Sequence, residues 1–260
     1  MMNKVMIYAA LLMVLILPTS NAETITMATT NWQPFQGEDL PQYGFTVVIA
    51  QQALARKGHT MTIDFLPWAR AMRAVKEGYY HGLFNPWKNA DIEQDYYFSQ
   101  EILGRGDGHF LAMPTSEKYG LSPEDLKGQV VGFVRGYPVS DELIALFESG
   151  AATKREVTTV TQLIKLLKFG RIDVILENYL VAQHHFKSEW PDQTFDLKVI
   201  GKDSVDGSLY IGWSKQKTDF ERLRDDFDSA IREMHEDGTI EIIRQQFGIN
   251  DVDIQSANSD

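Results

Sequence analysis

Short apolar strands alternating with helices of about ten residues, in two successive units, predict an α/β protein. No proline- or glycine-rich linker separates the units, so two lobes would be joined by strands rather than by a loose tether. A long amphipathic stretch after residue 219 closes the pattern.

The first unit opens with a strand over residues 25–28, running into Thr29, Thr30, Asn31 and Trp32. Residues 47–57 read as a helix that Gly58 ends, and residues 61–66 as a strand. Pro67 suits the first turn of a helix over residues 68–77, which Gly78 stops; Gly82, Leu83 and Phe84 form a third strand. In the second unit Ser122 and Pro123 start a short helical turn, residues 130–134 form a strand and residues 140–148 a helix. Residues 157–160 read as a strand, with Thr161 capping a helix over 162–168 that Gly170 ends. Residues 173–176 and 197–200 are strands flanking a helix over 178–186. A strand over 208–213 precedes one or two helices over 219–247, interrupted at Gly238 and closed by Gly248. The crossings between lobes are expected at residues 109–113 and 201–210, with Gly104 to Gly108 a flexible turn.

The N-terminus has the layout of a cleaved export signal: Lys4, an apolar run over residues 5–17, Pro18, then Ser20 and Ala22 at the positions a signal peptidase reads. That run is shorter than the ~20 residues a membrane span needs. The chain has no cysteine, which removes disulfides, thiolate catalysis and a lipidated cysteine at the cleavage site. We therefore expect an exported, unlipidated protein of the periplasm beginning near Glu23. The formal charge of −11, with no basic stripe, argues against a nucleic-acid partner.

Chemistry-bearing residues gather at strand ends. Arg135, Gly136 and Tyr137 lie between a strand and a helix start, where free N–H groups and a forked guanidinium suit an anion. Trp32, Phe35, Trp68 and Trp87 stand near strand-to-loop edges and are candidates to stack on a ligand, as is Tyr137. Asn31 and Asn85 offer neutral hydrogen bonds, and Arg70 sits near the positive end of its helix. Trp213, within a late strand, is expected in the core. The six histidines are scattered, the adjacent His184 and His185 point apart on a helix, and no phosphate-loop, dinucleotide or nucleophile-elbow motif occurs. No catalytic residue, metal or cofactor is assigned, and the bound species is expected to be a small molecule held in a cleft.

Several motifs, in order, resemble bacterial extracellular solute-binding proteins of family 3, which include receptors of polar amino-acid import systems. They are Trp32-Gln33-Pro34-Phe35, Tyr43-Gly44-Phe45, Pro67-Trp68-Ala69-Arg70-Ala71, Glu77-Gly78 and Phe98-Ser99. Leu126 to Gly132, Leu167 to Asp173 and His235 to Ile240 continue the match. The resemblance implies a type II periplasmic binding protein, each lobe a mixed sheet flanked by helices, with the ligand cleft between them. The implied organisation is a signal at 1–22, a discontinuous first lobe at 23–110 plus 206–250, a second lobe at 111–205 and a tail at 251–260. It further implies a monomer that closes on solute and delivers it to an ABC permease, or reports it to a sensor; a cyclohexadienyl dehydratase-like enzyme is the other alternative. The family arginine that grips a ligand carboxylate falls at Ile92, the aspartate that holds an ammonium at Asn178, and the first-helix aspartate at Thr46. Glu177 and Asn178 are therefore the candidates from the second lobe, with Arg135 and Glu177 as possible replacements for the two lost anchors.

Overall fold

A computed structural model describes residues 22–117, 122–193 and 197–249. The expected signal at 1–22, but for its last residue, and the tail at 251–260 lie outside them.

The first sheet is ordered β2-β1-β3-β12-β4, where β1 is Thr24–Thr29, β2 Thr60–Phe65, β3 Gly82–Phe84, β4 Tyr96–Phe98 and β12 Ile211–Ser214. β1 pairs in parallel with β2 and β3, whereas β12 runs antiparallel to β3 and β4. Helix α1 (Phe45–Arg56) presents a nearly continuous buried run from Phe45 to Ala50, and α2 (Trp68–Lys76) buries Trp68, Ala71 and Val75 at helical spacing. The short α3 (Ala90–Glu93) is capped by Asn89.

The second sheet is ordered β10-β6-β9-β7-β8, with β6 at His109–Ala112, β7 at Val130–Val134, β8 at Thr153–Val157, β9 at Val174–Glu177 and β10 at Lys198–Lys202. Around it lie α4 (Asp141–Glu148), α5 (Val160–Lys168) and α6 (Tyr179–Glu189). Helices α7 (Phe220–Glu236) and α8 (Thr239–Gln246) return to the first sheet. There α7 buries Leu223, Phe227, Ile231 and Met234, and Lys57 and Arg56 at the end of α1 meet Glu233 and Asp237 at 2.6 and 2.8 Å. The first lobe is thus completed by the end of the chain, and each lobe is a mixed sheet with helices packed on it.

Three expectations need correction. Residues 109–113 do not cross between lobes: β6 lies inside the second sheet between β10 and β9, so the lobe boundary expected at 110/111 falls within a strand. The crossing pair is β5 (Gly104–Arg105) with β11 (Ser208–Leu209), an isolated two-stranded ribbon. The glycine-rich segment read as a flexible turn therefore contains a crossing strand. It is clasped by Arg105, which donates to Asp107, Asp206 and Ser208, and by Lys202, which pairs with Asp107 at 2.8 Å. The third correction is β8, expected at 157–160. It is an edge strand whose exposed Thr153, Lys154 and Arg155 hide the apolar alternation, and Thr159, not Thr161, caps α5 by accepting from the Gln162 amide.

Candidate functional site

Four aromatic side chains meet where the lobes face each other. Trp32 follows β1, Trp68 begins α2 and Trp87 follows β3, all on the first lobe; Tyr137 lies between β7 and α4 on the second. Trp32 stacks on Phe35 at 4.5 Å and meets Trp87 edge-on at 5.8 Å. Trp87 and Trp68 present edges to Tyr137 at 5.3 and 6.5 Å. All three tryptophans and Phe35 are buried, so residues read as belonging to loop edges pack as an extension of the core. The loop carrying Tyr137 turns at Gly136, where φ is +88°. This conformation suits glycine, and a Cβ there would stand 2.3 Å from Met72 Cε.

Two hydrogen bonds join the lobes through these rings. The Trp68 indole donates to the Gly136 carbonyl at 3.1 Å, and the Trp32 indole donates to Glu177 Oε1 at 2.9 Å. Glu177 ends β9 at 0% exposure, and its Oε1 also accepts from the Asn178 amide at 2.8 Å. Oε2 has no well-formed hydrogen bond among the described residues, although the Tyr137 hydroxyl acts on the same carboxyl. Burial pushes this carboxyl up to about 7; Trp32, the Asn178 amide and the Tyr137 hydroxyl pull the other way. Burial, and then Glu177, raise the Tyr137 hydroxyl well above its ordinary value.

The first-lobe wall is a polar network. Asn85 adopts φ of +57° and donates to Gln36 Oε1 at 2.7 Å and to Thr46 Oγ1 at 3.0 Å. Gln36 in turn donates to Thr29, and Thr46 to the Phe35 carbonyl. Asn85 Oδ1 and Trp87 Nε1 remain buried without a hydrogen-bond partner among the described residues. Left-handed backbone in a buried asparagine is sustained only by such surrounding contacts and is commonest at binding sites.

Between the lobes these residues enclose a cavity of about 20 Å³, lined by Trp32, Trp68, Asn85, Trp87, Tyr137 and neighbours, with room for one water-sized group. Tyr137 also borders two larger cavities flanking it. One, of about 460 Å³, is lined by Asn31, Glu38, Asp39, His184 and His185 among others. The other, of about 580 Å³, includes Asp91, Ile92, Asp141 and Glu142. Burial lowers both histidines, His185 to about 4.

The remaining sequence candidates separate clearly. Asn31 reaches a flanking cavity, but its side chain is engaged with Glu38 in both directions. Asn178 is occupied: Oδ1 caps α6 by accepting from Leu180 and Val181, and Nδ2 donates to the Asp107 carbonyl. Arg135 is 58% exposed, lies 3.9 Å from Glu156 and lines none of the three cavities. Arg70 is exposed and likewise lines none of them. Neither arginine faces these cavities as an anion clamp would; Arg135 lies against Glu156 of the edge strand β8. Sequence reasoning missed Gln36 and Pro138, neighbours of named residues in the same loops, and the acidic lining of the flanking cavities.

No known family model matches the sequence, and no curated protein is significantly similar to it. Solved structures do match in three dimensions. An ancestral arginine-binding protein bound to arginine superposes with a TM-score of 0.72 at 19% identity, over 86% of this chain and 97% of that one. A putative L-cystine ABC transporter from Listeria monocytogenes gives 0.72 at 17%, over 87% and 96%. The chain has the two-lobed periplasmic-binding-protein fold. An arginine third transport system periplasmic binding protein from Legionella pneumophila, at 0.70 and 18%, matches 87% of this chain and all of that one. Among the described residues no helix is long and apolar enough to cross a membrane.

Proposed function

We propose that this protein is a periplasmic solute-binding protein that captures a small molecule between its lobes and passes it to an ABC-type permease. The observation that carries this reading is the inter-lobe box, in which Trp32 from one lobe bonds Glu177 from the other beside a cavity ringed by aromatics. A two-strand hinge and a seam of few, breakable contacts suit a domain that opens and shuts, and a solute that binds both lobes favours the shut form. Solved structures it resembles include transport-system binding proteins, which supports the permease as partner. A thermal-shift screen over amino acids, amines, carboxylates and oligosaccharides tests it. A specific solute should raise the melting temperature as occupancy rises and reduce the radius of gyration; a screen with no such solute refutes the reading.

A second reading, a dehydratase acting on cyclic diacids, draws on the Glu177 carboxyl, which at about 7 holds a proton near neutrality as a general acid must. The carboxylates lining both flanking cavities weigh against a dianionic substrate. Turnover of a cyclohexadienyl diacid by the pure protein would establish it over the binding role.

A further inference from the structure

We infer that the cleft recognises a protonated primary amine that needs no carboxylate of its own, with the ammonium seated in the aromatic box and Glu177, hydrogen-bonded to the Trp32 indole that lines the box, as its counter-charge. This rests on the solute-binding reading and names the chemical class of the solute.

Charge supplies the first argument. Among the described residues no lysine or arginine lines the box or either flanking cavity, while Glu38 and Asp39 line one flank and Asp91, Asp141 and Glu142 the other. The histidines on the first flank are shifted toward the neutral form. A solute carboxylate would find no cation there, and a desolvated anion without a partner is strongly disfavoured. Ile92, on the wall of the second flank, is apolar.

The second argument is the pattern of unpaired polar atoms. Asn85 Oδ1 is a buried acceptor and Trp87 Nε1 a buried donor without a hydrogen-bond partner among the described residues, and Glu177 Oε2 has only the Tyr137 hydroxyl acting on its carboxyl. Leaving such groups unpaired is costly, so the two acceptors call for N–H donors from a ligand, while the Trp87 indole hydrogen calls for an acceptor. The Trp32 indole N–H already occupies Glu177 Oε1 from across the seam. When the lobes part, Trp32 leaves with the first lobe and this carboxyl faces the open cleft. An incoming ammonium then offers three donors where the indole offered one.

The third is shape. Indole and phenol rings on several sides form a cage whose negative faces favour a cation. A cavity of about 20 Å³ admits a head group the size of a water molecule, which an –NH3+ matches and a trimethylammonium exceeds. The flanking cavities leave space for an alkyl chain, and their carboxylates favour a second ammonium at its far end.

The test is titration calorimetry at pH 8 on the full-length mature protein with n-butylamine, 1,4-diaminobutane, n-butanol, tetramethylammonium, butyrate and L-arginine. Tryptophan fluorescence reports whether the box is the site. We expect n-butylamine to bind, the diamine to bind at least ~10-fold more tightly, and Glu177→Gln to weaken both by ~30-fold or more. The variant must not melt below the wild type, since Gln retains the acceptor used by Trp32 and the Asn178 amide and removes the buried charge. Trp87→Leu provides a second variant that leaves Glu177 intact and should weaken the amines with no change in their order. Butanol or butyrate binding as well as butylamine, tetramethylammonium outcompeting it, or Glu177→Gln keeping full affinity would each overturn the inference. L-arginine binding while the amines are silent overturns the amine class and leaves the solute-binding reading standing. Silence from all six and from the wider screen overturns both.

Discussion

Replacing Glu177 by glutamine should stabilise the protein at alkaline pH and leave it unchanged in acid. The carboxyl is wholly buried and is raised in the fold from its ordinary 4.5 to about 7. The folded state therefore holds its proton to higher pH than the unfolded chain does. Below pH ~4 both states are protonated and the group contributes no penalty. Between ~4.5 and ~7 unfolding releases a proton, so stability falls as pH rises; above ~7 the full penalty applies. A separation of roughly 2.5 units at about 1.4 kcal/mol per unit gives on the order of 3 kcal/mol. Glutamine stays neutral throughout and keeps an acceptor for Trp32 and the Asn178 amide. Other groups surround or accompany it: burial raises Asp203 and Asp228, the Tyr137 hydroxyl, itself raised well above its ordinary value, acts on Glu177, and His109 stands opposite Glu177 in the β6–β9 ladder. Subtracting wild type from variant at each pH removes the slopes of Asp203 and Asp228. Urea unfolding from pH 4 to 8.5 should show a stability difference near zero at the acid end, growing to about 3 kcal/mol at the alkaline end. A flat difference, or a variant less stable than wild type at pH 8, would show that the carboxylate is held by a partner and not burdened by burial.

Three further substitutions probe the seam and the hinge. Gly106→Ala places a Cβ 2.4 Å from Trp32 Cη2, so it should displace that indole and weaken solute affinity by ~10-fold or more, read by calorimetry. Gly207→Ala drives a Cβ to 2.1 Å from Asp107 Oδ1 and 2.5 Å from its Cα, which the clasped ribbon has no slack to absorb; loss of about 2–3 kcal/mol is expected in urea unfolding. Arg135→Ala should change neither affinity nor stability beyond ~0.5 kcal/mol, because its pair with Glu156 is long and exposed. A clear loss of affinity there would restore the anion clamp.

The strand and helix pattern was legible because burial imposes it residue by residue: β1 alternates, α2 buries one face, and Pro67 and Gly78 punctuate. The crossing strands were not, since β5 and β11 are two residues each and carry no periodicity; only pairing across the chain makes them strands. Edge strand β8 failed for a related reason, its exposed face supplying charges where an alternating pattern was sought. Within the site, aromatic residues beside strand ends pointed to Trp32, Trp68, Trp87 and Tyr137, and Glu177 followed from its place beside the expected anchor. Arg135 misled because a guanidinium next to a strand end looks the same in sequence whether it turns inward or outward. In the fold it lies 58% exposed, 3.9 Å from Glu156 of the neighbouring strand β8, a contact between separate strands.

Asn178 stands where the resemblance led us to expect an ammonium-holding aspartate, and its contacts show what it does instead. An aspartate there can cap a helix and still present charge to a cleft. Asn178 instead commits Oδ1 to the first turn of α6 and Nδ2 to the Asp107 carbonyl beside the hinge, so both ends of its amide are consumed in holding structure. The negative charge moves back one residue to Glu177, at the buried end of β9, where no solvent screens it and aromatic rings form its surroundings. Thr46 on α1, in place of the acid expected there, joins a neutral network with Asn85 and Gln36. A cleft rebuilt in this way keeps one buried charge, gives up the polar cradle for a second, and surrounds the first with faces that favour cations. Lobe closure is then selective for charge sign before it is selective for shape: a cation relieves the buried carboxylate when the lobes shut, while an anion adds a second unpaired charge to the seam.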